Sequence, residues 1–413
     1  MGTNRRSFLK TTAAASAAFT VPTVWTQSST SAQQANDRIT VASIGVGGSR
    51  GRYNRGGAIA RNASKLGQTI AVCDVDDRHT AEFNKALGGK LNMYSDYREL
   101  LEKEKPDVVT IGTPDHWHVP IALAALRAGA DVYCEKPLTL TIDEGIEVSK
   151  VVKETGRVFQ VGTQQRSEND SKFLRAIAIV QSGLLGDNVN ANVAIGGAPG
   201  AGPFQSTDSP TDLDWNMWVG PAPNVDYCEE RRRYFRWFFE YSGGKMTDWG
   251  AHHIDIAQWA LGMDKSGPNK VTSKGEFPGI VPDDFNWEGF LNGDVTLPNG
   301  YNTASKFHIN LEFANGSSLG VHDKFKRDDI EFDNGILLEG TKGRIFVNRS
   351  KLQGAAIDNM TDTEKKDLND AVVKLYKGKT PGNHMKNFFE SVESREQPIS
   401  DVETHHRTMT SCH

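Results

Sequence analysis

The most constraining feature of this sequence is a regular alternation of short apolar runs and amphipathic stretches between residues 37 and 163. The apolar runs, each of strand length, are Ile39–Gly45, Thr69–Cys73, Val108–Gly112, Asp131–Cys134 and Val158–Gly162. The stretches with helical periodicity between them are Asp77–Leu87, Tyr97–Glu104, Pro120–Ala128 and Asp143–Glu154. Continuous apolar strands separated by amphipathic helices predict a parallel sheet with helices on both faces. Sheets of this kind bind ligands at the carboxyl ends of their strands.

Length and composition narrow the class of protein. A chain of 413 residues suits two domains, and contents of 24% charged and 38% hydrophobic residues are typical of a soluble globular protein. The net charge of −5, without a basic stripe, argues against a nucleic-acid partner. The four cysteines are too few and too scattered for a disulfide scaffold or a zinc ribbon.

Residues 1–35 differ from the rest of the chain and predict an export signal. Asn4-Arg5-Arg6-Ser7-Phe8-Leu9-Lys10 precedes a weakly apolar run, Thr11–Trp25, and a cleavage site is expected after Ala32. This order is typical of a twin-arginine signal, so we expect a periplasmic or otherwise exported protein that uses the twin-arginine machinery. The apolar run is shorter than the ~20 residues needed to span a bilayer, so no stable membrane insertion is expected. The alternative is a flexible basic N-terminus that contains two adjacent arginines.

A glycine-rich loop follows the first predicted strand. It reads Gly45-Val46-Gly47-Gly48-Ser49-Arg50-Gly51, and glycines at such a strand end let backbone N–H groups approach a pyrophosphate. We therefore predict that Gly45, Gly47, Gly48 and Gly51 bind a dinucleotide cofactor. The fingerprint is imperfect because its third glycine, Gly51, comes one residue late.

Asp74 ends the second predicted strand, where a carboxylate would accept hydrogen bonds from the adenosine ribose. A carboxylate there repels a 2′-phosphate, so the expected cofactor is NAD, with NADP disfavoured. The alternative for Asp74 is an ordinary turn residue at the end of a strand.

The third and fourth strand ends carry further candidate cofactor contacts. Thr113-Pro114-Asp115-His116-Trp117-His118 follows one strand, and Glu135-Lys136-Pro137 follows the next. We predict that the cofactor contacts are Thr113, Pro114, His116, His118, Glu135 and Lys136. A lysine in such a crevice can polarise a carbonyl oxygen or transfer a proton, although most lysines are simply solvated. Two histidines without a nearby cysteine or third histidine do not predict a metal site.

The second half of the chain changes pattern and predicts an α+β domain with antiparallel strands. The alternating stretches are Thr303–Leu311, Ser318–Val321, Ile330–Phe332 and Arg344–Val347. A helix predicted to begin near Thr247 places Asp248, His252 and Asp255 at positions i, i+4 and i+7, hence on one face. A histidine held by an aspartate can act as general base on a hydroxyl. The alternative is a capped helix whose histidine has only a structural role.

Aromatic residues and arginines crowd into the segment from 215 to 239. The aromatic faces could stack on a sugar ring, and the arginines Arg231, Arg232, Arg233 and Arg236 could hold an anionic group. The favoured interpretation is that most of these aromatic side chains belong to the core and that the arginines form a solvated rim.

Taken in this order, these motifs resemble those of the Gfo/Idh/MocA oxidoreductases, named for glucose–fructose oxidoreductase and inositol dehydrogenase. The resemblance extends from Asp37 onward, and its most specific parts are Glu135-Lys136-Pro137 and the Asp-x-x-x-His-x-x-Asp motif that begins at Asp248. Tracts such as 113–121 and 162–167 resemble a twin-arginine-exported branch of that family, which is common in sugar-degrading bacteria.

The resemblance implies three segments. Residues 1–35 would be the signal peptide and linker, and residues 36–163 a Rossmann domain that binds NAD(P). Residues 164–413 would form a substrate-binding α+β domain whose large, open, mostly antiparallel sheet mediates homodimers or homotetramers. The chain ends inside a predicted helix where related proteins continue, so a truncated C-terminus is expected.

The resemblance also assigns roles to residues. It implies that Lys136, Asp248 and His252 are catalytic, and that Arg166 and Asp255 join them in binding substrate. In the leading hypothesis, an NAD(P)-dependent oxidoreductase transfers hydride between a sugar, polyol or glycoside hydroxyl and nicotinamide. His252, oriented by Asp248, takes the hydroxyl proton, and Lys136 stabilises the substrate oxygen.

Two other hypotheses stay open at this point. Some members of the family oxidise a sugar transiently, eliminate the glycosidic oxygen and re-reduce the product, so a glycosidase or lyase with a retained NAD is the alternative. The third possibility is a sugar-binding or assembly protein that has kept only the fold. The presence of the candidate catalytic residues argues against that third possibility.

Overall fold

The first half of the chain forms a six-stranded parallel sheet in the order β3-β2-β1-β4-β5-β6. The computed structural model describes residues 38–48 and 54–413. The strands are β1 (Thr40–Ile44), β2 (Gln68–Cys73), β3 (Asn92–Tyr94), β4 (Val108–Ile111), β5 (Asp131–Cys134) and β6 (Phe159–Val161). The chain builds outward in both directions from β1, so the doubly wound parallel sheet that the sequence predicts is confirmed. β4 and β5 are buried along their whole length, as continuous apolar strands require.

Five helices connect these strands. They are α1 (Arg55–Ser64), α2 (Asp77–Ala86), α3 (Tyr97–Glu104), α4 (His118–Arg127) and α5 (Ile142–Thr155). The first of them, α1, begins after Asn54, whose side chain accepts a hydrogen bond from Gly57 N at 2.6 Å. Gly56 lies so close to the strand ends that a Cβ atom on it would come within 1.8 Å of Gly45 O. The glycine therefore lets α1 approach the end of β1.

A seven-stranded sheet dominates the second half, in the order β15-β14-β13-β7-β10-β9-β8. Its strands are β7 (Asn190–Ala194), β8 (Lys270–Glu276), β9 (Lys306–Glu312), β10 (Ser318–His322), β13 (Gly335–Gly340), β14 (Gly343–Val347) and β15 (Leu352–Gln353). A separate hairpin consists of β11 (Phe325–Arg327) and β12 (Ile330–Phe332). Only the β7–β10 pair of the large sheet is parallel, so the predicted, mostly antiparallel second sheet is also confirmed.

The second half also contains helices, some of which pack on this sheet. They are α6 (Lys172–Gln181), α7 (Trp215–Val219), α8 (Glu229–Arg233), α9 (Gly244–Asp248), α10 (Gly250–Ala260), α11 (Trp287–Leu291), α12 (Ala355–Asp358) and α13 (Asp362–Leu375). Helix α10 packs on strands β7, β10 and β13, and α6 packs on both α10 and α13. Every described residue of α10 except Trp259 is buried, which places this helix in the centre of the protein.

The last two helices return to the first sheet. They are α14 (His384–Ser394) and α15 (Val402–Cys412). Phe388 and Phe389 of α14 join a core cluster with Val41 and Ile59 of the first half, and α15 packs between α5 and α10. Backbone N–H of Val161 donates to Ser400 O at 2.9 Å. The final residues of the chain therefore pack against the first sheet.

Within residues 38–48 and 54–413, none of the helices has both the length and the apolar character to cross a membrane. The predicted signal peptide lies outside the described residues.

Candidate active site

A cleft opens at the carboxyl ends of β1, β2, β4 and β5, where the fold predicts a ligand. The first half lines it with Gly45, Gly47, Gly48, Asp74, Thr113, Pro114, His118, Glu135 and Lys136. The second half adds Gln164, Asp248, Trp249, His252 and Arg349. Two chemically different groups of residues, a glycine loop and a set of ionisable side chains, thus share one cleft.

The glycine loop has no room for side chains at two positions. Gly45 has a φ of +74°, and a Cβ atom on it would lie 2.7 Å from Thr113 N. A Cβ atom on Gly47 would lie 1.8 Å from Nδ1 of His79. Gly48 also lines the cleft, whereas Gly51 falls outside the described residues. The exposed backbone at this strand end suits a dinucleotide pyrophosphate, so the residues present fit the predicted cofactor.

Asp74 fastens this loop to the end of β2. Its Oδ2 accepts hydrogen bonds from the backbone N–H groups of Val46 and Gly47, both at 3.0 Å. Its Oδ1 accepts from Asp76 N at 3.1 Å and lies 3.2 Å from Nδ1 of His79. Burial alone would lower the pKa of His79, but the hydrogen bond and charge of Asp74 outweigh burial and raise it. Asp74 therefore shapes the loop, and its contact with a ribose stays a prediction.

His118 and His116 have different surroundings, although the sequence assigned both to the cofactor. His118 bridges the two strand ends, with Nδ1 at 2.6 Å from Pro137 O and Nε2 at 3.0 Å from Thr113 O. His116 does not line the cleft, because its ring packs among aromatic side chains and its Nε2 lies 2.9 Å from Trp218 O. Burial lowers the pKa of His116 to about 4. The structure therefore gives His116 a packing position in place of the predicted cofactor contact.

Lys136 and Asp248 meet across the cleft. Lys136 Nζ donates to Asp248 Oδ1 at 2.6 Å and to Asp248 O at 3.1 Å, and Arg236 Nε donates to the same Oδ1 at 3.0 Å. Burial alone would raise the pKa of Asp248, but the charges of Lys136 and Arg236 hold it well below its usual range. Neighbouring Glu135 accepts from Arg55 Nε at 2.8 Å.

His252 lines the cleft beside this pair, but no hydrogen bond joins it to Asp248 among the described residues. Asp248 ends α9, whereas α10 begins at Gly250, so the single helix predicted from Thr247 is divided at Trp249. His252 Nδ1 is buried and has no hydrogen-bond partner in the described part of the chain. Burial, reinforced by the positive charges of Lys136 and Arg349, holds the pKa of His252 well below its usual value. The expectation that Asp248 orients His252 is corrected, because Asp248 is bound to two cations.

Arg166 and Asp255 lie away from the cleft and bind each other. Arg166 donates through Nε and Nη2 to the two oxygens of Asp255, both at 2.7 Å, and the side chains are 3% and 0% exposed. Thr408 of α15 donates to Asp255 Oδ1 at 3.0 Å, and the guanidinium stacks over Trp259. The structure thus does not place the predicted substrate-binding pair in the cleft. The pair instead connects α10 to the C-terminal helix.

The structure adds cleft residues that sequence reasoning missed. Arg349 follows β14 and enters the cleft, where its guanidinium lies 4.7 Å from the ring centroid of Trp249. Its Nε lies 3.3 Å from the amide of Gln165, which can also donate to His252 O at 3.1 Å. No sequence pattern indicates that Arg349 reaches the cleft. Its position there depends on the pairing of β14, which is distant in sequence from the other site residues.

The aromatic and arginine segment divides between core and cleft. Most of the aromatic side chains pack in one buried cluster, as the favoured interpretation held. The arginines are not a solvated rim: Arg231 is buried against Glu240, Arg232 pairs with Asp76, and Arg236 holds Asp248. Only Arg233, paired with Glu229, is exposed. Within the described ranges, no group of three or more histidine, cysteine, aspartate or glutamate side chains could hold a metal ion.

Two family models match this chain and together cover more than half of it. An oxidoreductase family model with an NAD-binding Rossmann fold matches residues 39–163, and the C-terminal α/β domain model of the same family matches residues 176–277. The chain belongs to the Gfo/Idh/MocA oxidoreductase family. The family resemblance that the sequence motifs carry is therefore confirmed.

Relatives of this chain align with it over only part of their length. It is 27% identical to D-glucoside 3-dehydrogenase of Escherichia coli over 63% of this chain and 67% of the relative. It is 24% identical to myo-inositol 2-dehydrogenase of Thermotoga maritima over 70% of this chain and 71% of the relative. An oxidoreductase of Bacillus subtilis, YrbE, is 26% identical over 62% of this chain, which spans 60% of that relative.

Solved structures share the fold across nearly the whole chain. The WlbA dehydrogenase of Bordetella pertussis, in complex with NADH and UDP-GlcNAcA, has a TM-score of 0.59 at 16% identity and covers 91% of this chain and 95% of its own. The aldose–aldose oxidoreductase of Caulobacter crescentus, complexed with glycerol, has a TM-score of 0.59 at 15% identity, covering 90% and 95%. These similarities support the two-part architecture.

Proposed function

We propose that this protein is an NAD-dependent oxidoreductase that transfers hydride between nicotinamide and the hydroxyl carbon of a sugar, polyol or glycoside. The observation that carries the proposal is the meeting of Lys136, Asp248 and His252 in the same cleft as the glycine loop. The named activities of the family relatives, glucoside and inositol dehydrogenation, support the substrate class.

Lys136 is the group that we expect to bind the reacting oxygen. When bound, nicotinamide supplies the hydride acceptor or donor. The Lys136 ammonium has three N–H donors, and its two contacts to Asp248 leave one for a substrate oxygen. A positive donor fixed in advance stabilises negative charge that develops on that oxygen. Asp248, held by Lys136 and Arg236, is the positioning partner of the ammonium.

His252 is the proposed proton acceptor. Because its pKa lies well below the usual range, the imidazole is neutral at ordinary pH and can take up the proton of a substrate hydroxyl. No hydrogen bond to a described residue occupies the ring, and because Nδ1 is buried, Nε2 is the nitrogen that we expect to take up the proton. A bound substrate hydroxyl would then be the partner that the ring lacks.

The nucleotide preference follows from charge at the end of β2. Asp74 and Asp76 place two carboxylates where an adenosine ribose would lie, and both line the cleft. The charge of Asp74 disfavours the 2′-phosphate of NADP, so we propose NAD. Nearby Arg78 and Arg232 are both paired with Asp76.

A substrate panel tests the proposed oxidoreductase. Purified protein with NAD is expected to form NADH with at least one sugar, polyol or glycoside. His252→Gln is expected to lower kcat by roughly 10²- to 10⁴-fold, the range for loss of a general base, while NAD affinity stays unchanged. His308→Gln, on strand β9 and outside the cleft, is the matched control. A His252→Gln variant with normal turnover contradicts the assigned proton acceptor.

A redox-neutral cleavage is the second candidate function. Residues 212–220 contact the loops on both sides of the cleft, since Asp214 N donates to Val75 O at 2.9 Å and Trp117 Nε1 donates to Met217 O at 3.0 Å. A segment that lies across the cleft in this way favours a nucleotide that stays bound between the oxidation of the sugar and the re-reduction of the product. With a glycoside substrate, release of the aglycone without net NADH would favour this candidate over dehydrogenation.

We also propose export through the twin-arginine pathway, on the strength of the sequence alone. The paired Arg5-Arg6, the Phe8-Leu9-Lys10 that follows and the small residues before Ala32 support it. Replacement of both arginines by lysine is expected to leave the uncleaved protein in the cytoplasm, as measured by cell fractionation. Export of that variant at the wild-type level would contradict the assignment.

A homodimer or homotetramer is the proposed assembly. Strand β8 is exposed at every residue, and Val271 on it is 57% exposed. As the last strand of the seven-stranded sheet, β8 also has an unpaired edge, whose backbone N–H and C=O groups can pair with a strand of another copy. Light scattering coupled to size-exclusion chromatography tests this, and a strictly monomeric protein at micromolar concentration would contradict it.

A further inference from the structure

One segment of the second half lies across the predicted nucleotide crevice. We call residues Asp212–Gly220 the strap. At its start, Asp214 N donates to Val75 O and Asp77 N donates to Asp212 O, both at 2.9 Å, and Leu213 forms an antiparallel bridge with Asp76. These contacts attach the strap to the loop that follows β2.

The far end of the strap is attached to the loop that follows β4. Trp117 Nε1 lies 3.0 Å from both Met217 O and Trp218 O, and His116 Nε2 lies 2.9 Å from Trp218 O. Gly220, at a φ of +53°, lies against the same indole, where a Cβ atom would come within 2.1 Å of the ring. The strap is therefore fixed at both of its ends.

The two attachments place the strap across the end of β1. Strands β2 and β4 flank β1 on opposite sides, so a segment attached after both of them crosses the end of β1. That end is the topological switch point, where doubly wound sheets bind dinucleotides. The cleft lies between them, with Ile44 and Gly45 on the strand side and Leu213, Met217 and Trp218 on the strap side. A nucleotide at this site would be enclosed between sheet and strap.

The strap is built to keep its shape. Asp214 caps α7 by accepting a hydrogen bond from Met217 N at 2.9 Å, and the rings of Trp215 and Trp218 stack with centroids 4.6 Å apart. Both tryptophans are under 10% exposed and belong to the buried aromatic cluster. Moving the strap would expose this aromatic surface to water, which opposes opening.

Arg232 adds a second tie at the adenosine end. Its guanidinium binds the carboxylate of Asp76, and the two side chains are 12% and 1% exposed. Arg78 also binds Asp76 at 2.9 Å and Asp212 at 2.8 Å, but its side chain is half exposed, so it adds less. The buried pair formed by Arg232 and Asp76 thus connects the second half of the chain to the β2 loop independently of the strap backbone.

We propose that the strap, together with Arg232, retains the nicotinamide nucleotide as a slowly exchanging resident group, by closing the crevice over its adenosine half. This inference rests on the proposed nucleotide binding, and it assigns to Trp117 and Arg232 a role in cofactor retention and not in hydride transfer. Release of the nucleotide requires the strap contacts to break, so weakening either attachment should speed release.

Nucleotide release can be measured directly. The purified full chain is loaded with NAD, and the release rate is followed by displacement with a fluorescent NAD analogue. Wild-type protein is expected to release NAD over minutes or longer. Trp117→Phe keeps an aromatic side chain but replaces the indole by a smaller phenyl ring without the N–H that reaches the strap, and Arg232→Gln removes the buried charge. Each is expected to speed release by about ten-fold, the effect of one lost hydrogen bond or buried ion pair.

Controls separate retention from binding and from folding. Arg127→Gln removes an exposed arginine that pairs with Glu147, far from the strap, and should leave the release rate unchanged. Should Arg232→Gln fail to fold, Trp117→Phe alone decides the outcome. Release from wild-type protein within a second, or variants that release at the wild-type rate, would overturn the strap proposal while leaving NAD binding intact. Absence of any NAD binding by folded protein would instead overturn the proposed function and the strap proposal with it.

Discussion

At the scale of single residues, the carboxylate of Asp248 determines how the cleft is arranged. Its Oδ1 accepts hydrogen bonds from both Lys136 and Arg236, and these contacts hold the end of α9 next to the end of β5. Removing a carboxylate from water costs free energy unless the carboxylate is paired. Lys136 and Arg236 therefore compensate for the partial burial of Asp248, and Asp248 compensates for theirs. The Lys136 ammonium is consequently held in one place before any substrate binds.

Replacing this ammonium should affect chemistry more than binding. Lys136→Met is expected to lower kcat/KM by roughly 10²- to 10⁴-fold, because the substrate oxygen loses its charged donor. NAD affinity, measured by calorimetry, should change by less than about two-fold on the same reasoning. Lys150→Met, an exposed lysine on α5, is the control. Near-normal turnover in Lys136→Met would remove Lys136 from the reaction.

The buried pair of Arg166 and Asp255 should behave as a structural element. Asp255→Asn leaves a buried guanidinium without its counter-charge and is expected to lower the free energy of unfolding by roughly 3–5 kcal/mol. Glu147→Gln, which breaks the exposed pair with Arg127, should cost less than about 1 kcal/mol. Denaturant unfolding measures both. A raised KM with unchanged stability in Asp255→Asn would instead restore the substrate-binding role that the sequence predicted.

At the scale of elements, the contact of α1 with the strand ends positions the glycine loop. Gly56 of α1 faces Gly45 O at the end of β1, and a Cβ atom on Gly112 would lie 2.3 Å from the Cα of Gly56. Three glycines therefore allow a helix and two strands to converge where the nucleotide is proposed to bind. A side chain at this point would separate them.

Gly56→Ala is expected to lower the free energy of unfolding by roughly 1–3 kcal/mol, the usual cost of an added methyl group in a packed site. Weaker NAD binding should accompany it, because the loop after β1 is displaced. Gly279→Ala has nothing within 4 Å of the added Cβ atom and serves as the control. Thermal unfolding and NAD titration of the two variants give the comparison. Equal stability of the two variants would show that the site at Gly56 accepts an added methyl group, which contradicts the prediction.

The elements also show what the sequence could and could not reveal. The central strands were predictable because their apolar runs are continuous and buried on both faces. Strand β3 was missed because it has only three residues, none of them buried, and so carries no apolar run. The break at Trp249 was missed because that residue keeps helical angles while the hydrogen-bond pattern changes around it. The expected contact between Asp248 and His252 does not form because the Asp248 carboxylate binds Lys136 and Arg236.

At the scale of the whole molecule, several histidines are buried in their neutral form. Burial lowers the pKa to about 4 in His116, His253, His384 and His405. In the unfolded chain a histidine has a pKa near 6.5, so between these values the unfolded state binds more protons. Stability is therefore complete above about pH 6.5 and is lost as the pH falls toward 4.

The Tm should accordingly fall steeply between pH 7 and pH 5 in scanning calorimetry. His405→Leu isolates one contribution, because both ring nitrogens of His405 are buried without hydrogen-bond partners in the described chain. Without this histidine, the free energy of unfolding should fall less on acidification, by up to roughly 3 kcal/mol. That figure is the free energy that corresponds to the whole displacement of the His405 pKa, from its unfolded value to about 4. A Tm that does not change with pH, or a profile identical in His405→Leu, would count against this account.

The parallel sheet was predictable from the alternation of patterns, the second sheet only in part because strands such as β7, β8 and β13 were missed, and the cleft also only in part. Motifs at strand ends converge because parallel strands end at one edge, and this brought Gly45, Asp74 and Lys136 together. Contacts between distant segments left no local signal. Arg349 therefore entered the cleft unpredicted, and Arg166 and Asp255 were found bound to each other in the interior.

The most direct test of the central claim is a single-turnover measurement of NADH absorbance. Protein saturated with NAD is mixed rapidly with the sugar and polyol panel, beside Lys136→Met. Both candidate reactions begin by moving hydride from substrate to nicotinamide, so we predict an NADH band that rises in the wild type and is absent, or slower by orders of magnitude, in Lys136→Met. Folded protein that binds NAD but forms no NADH with any member of the panel, or forms it equally well in both proteins, would contradict the account.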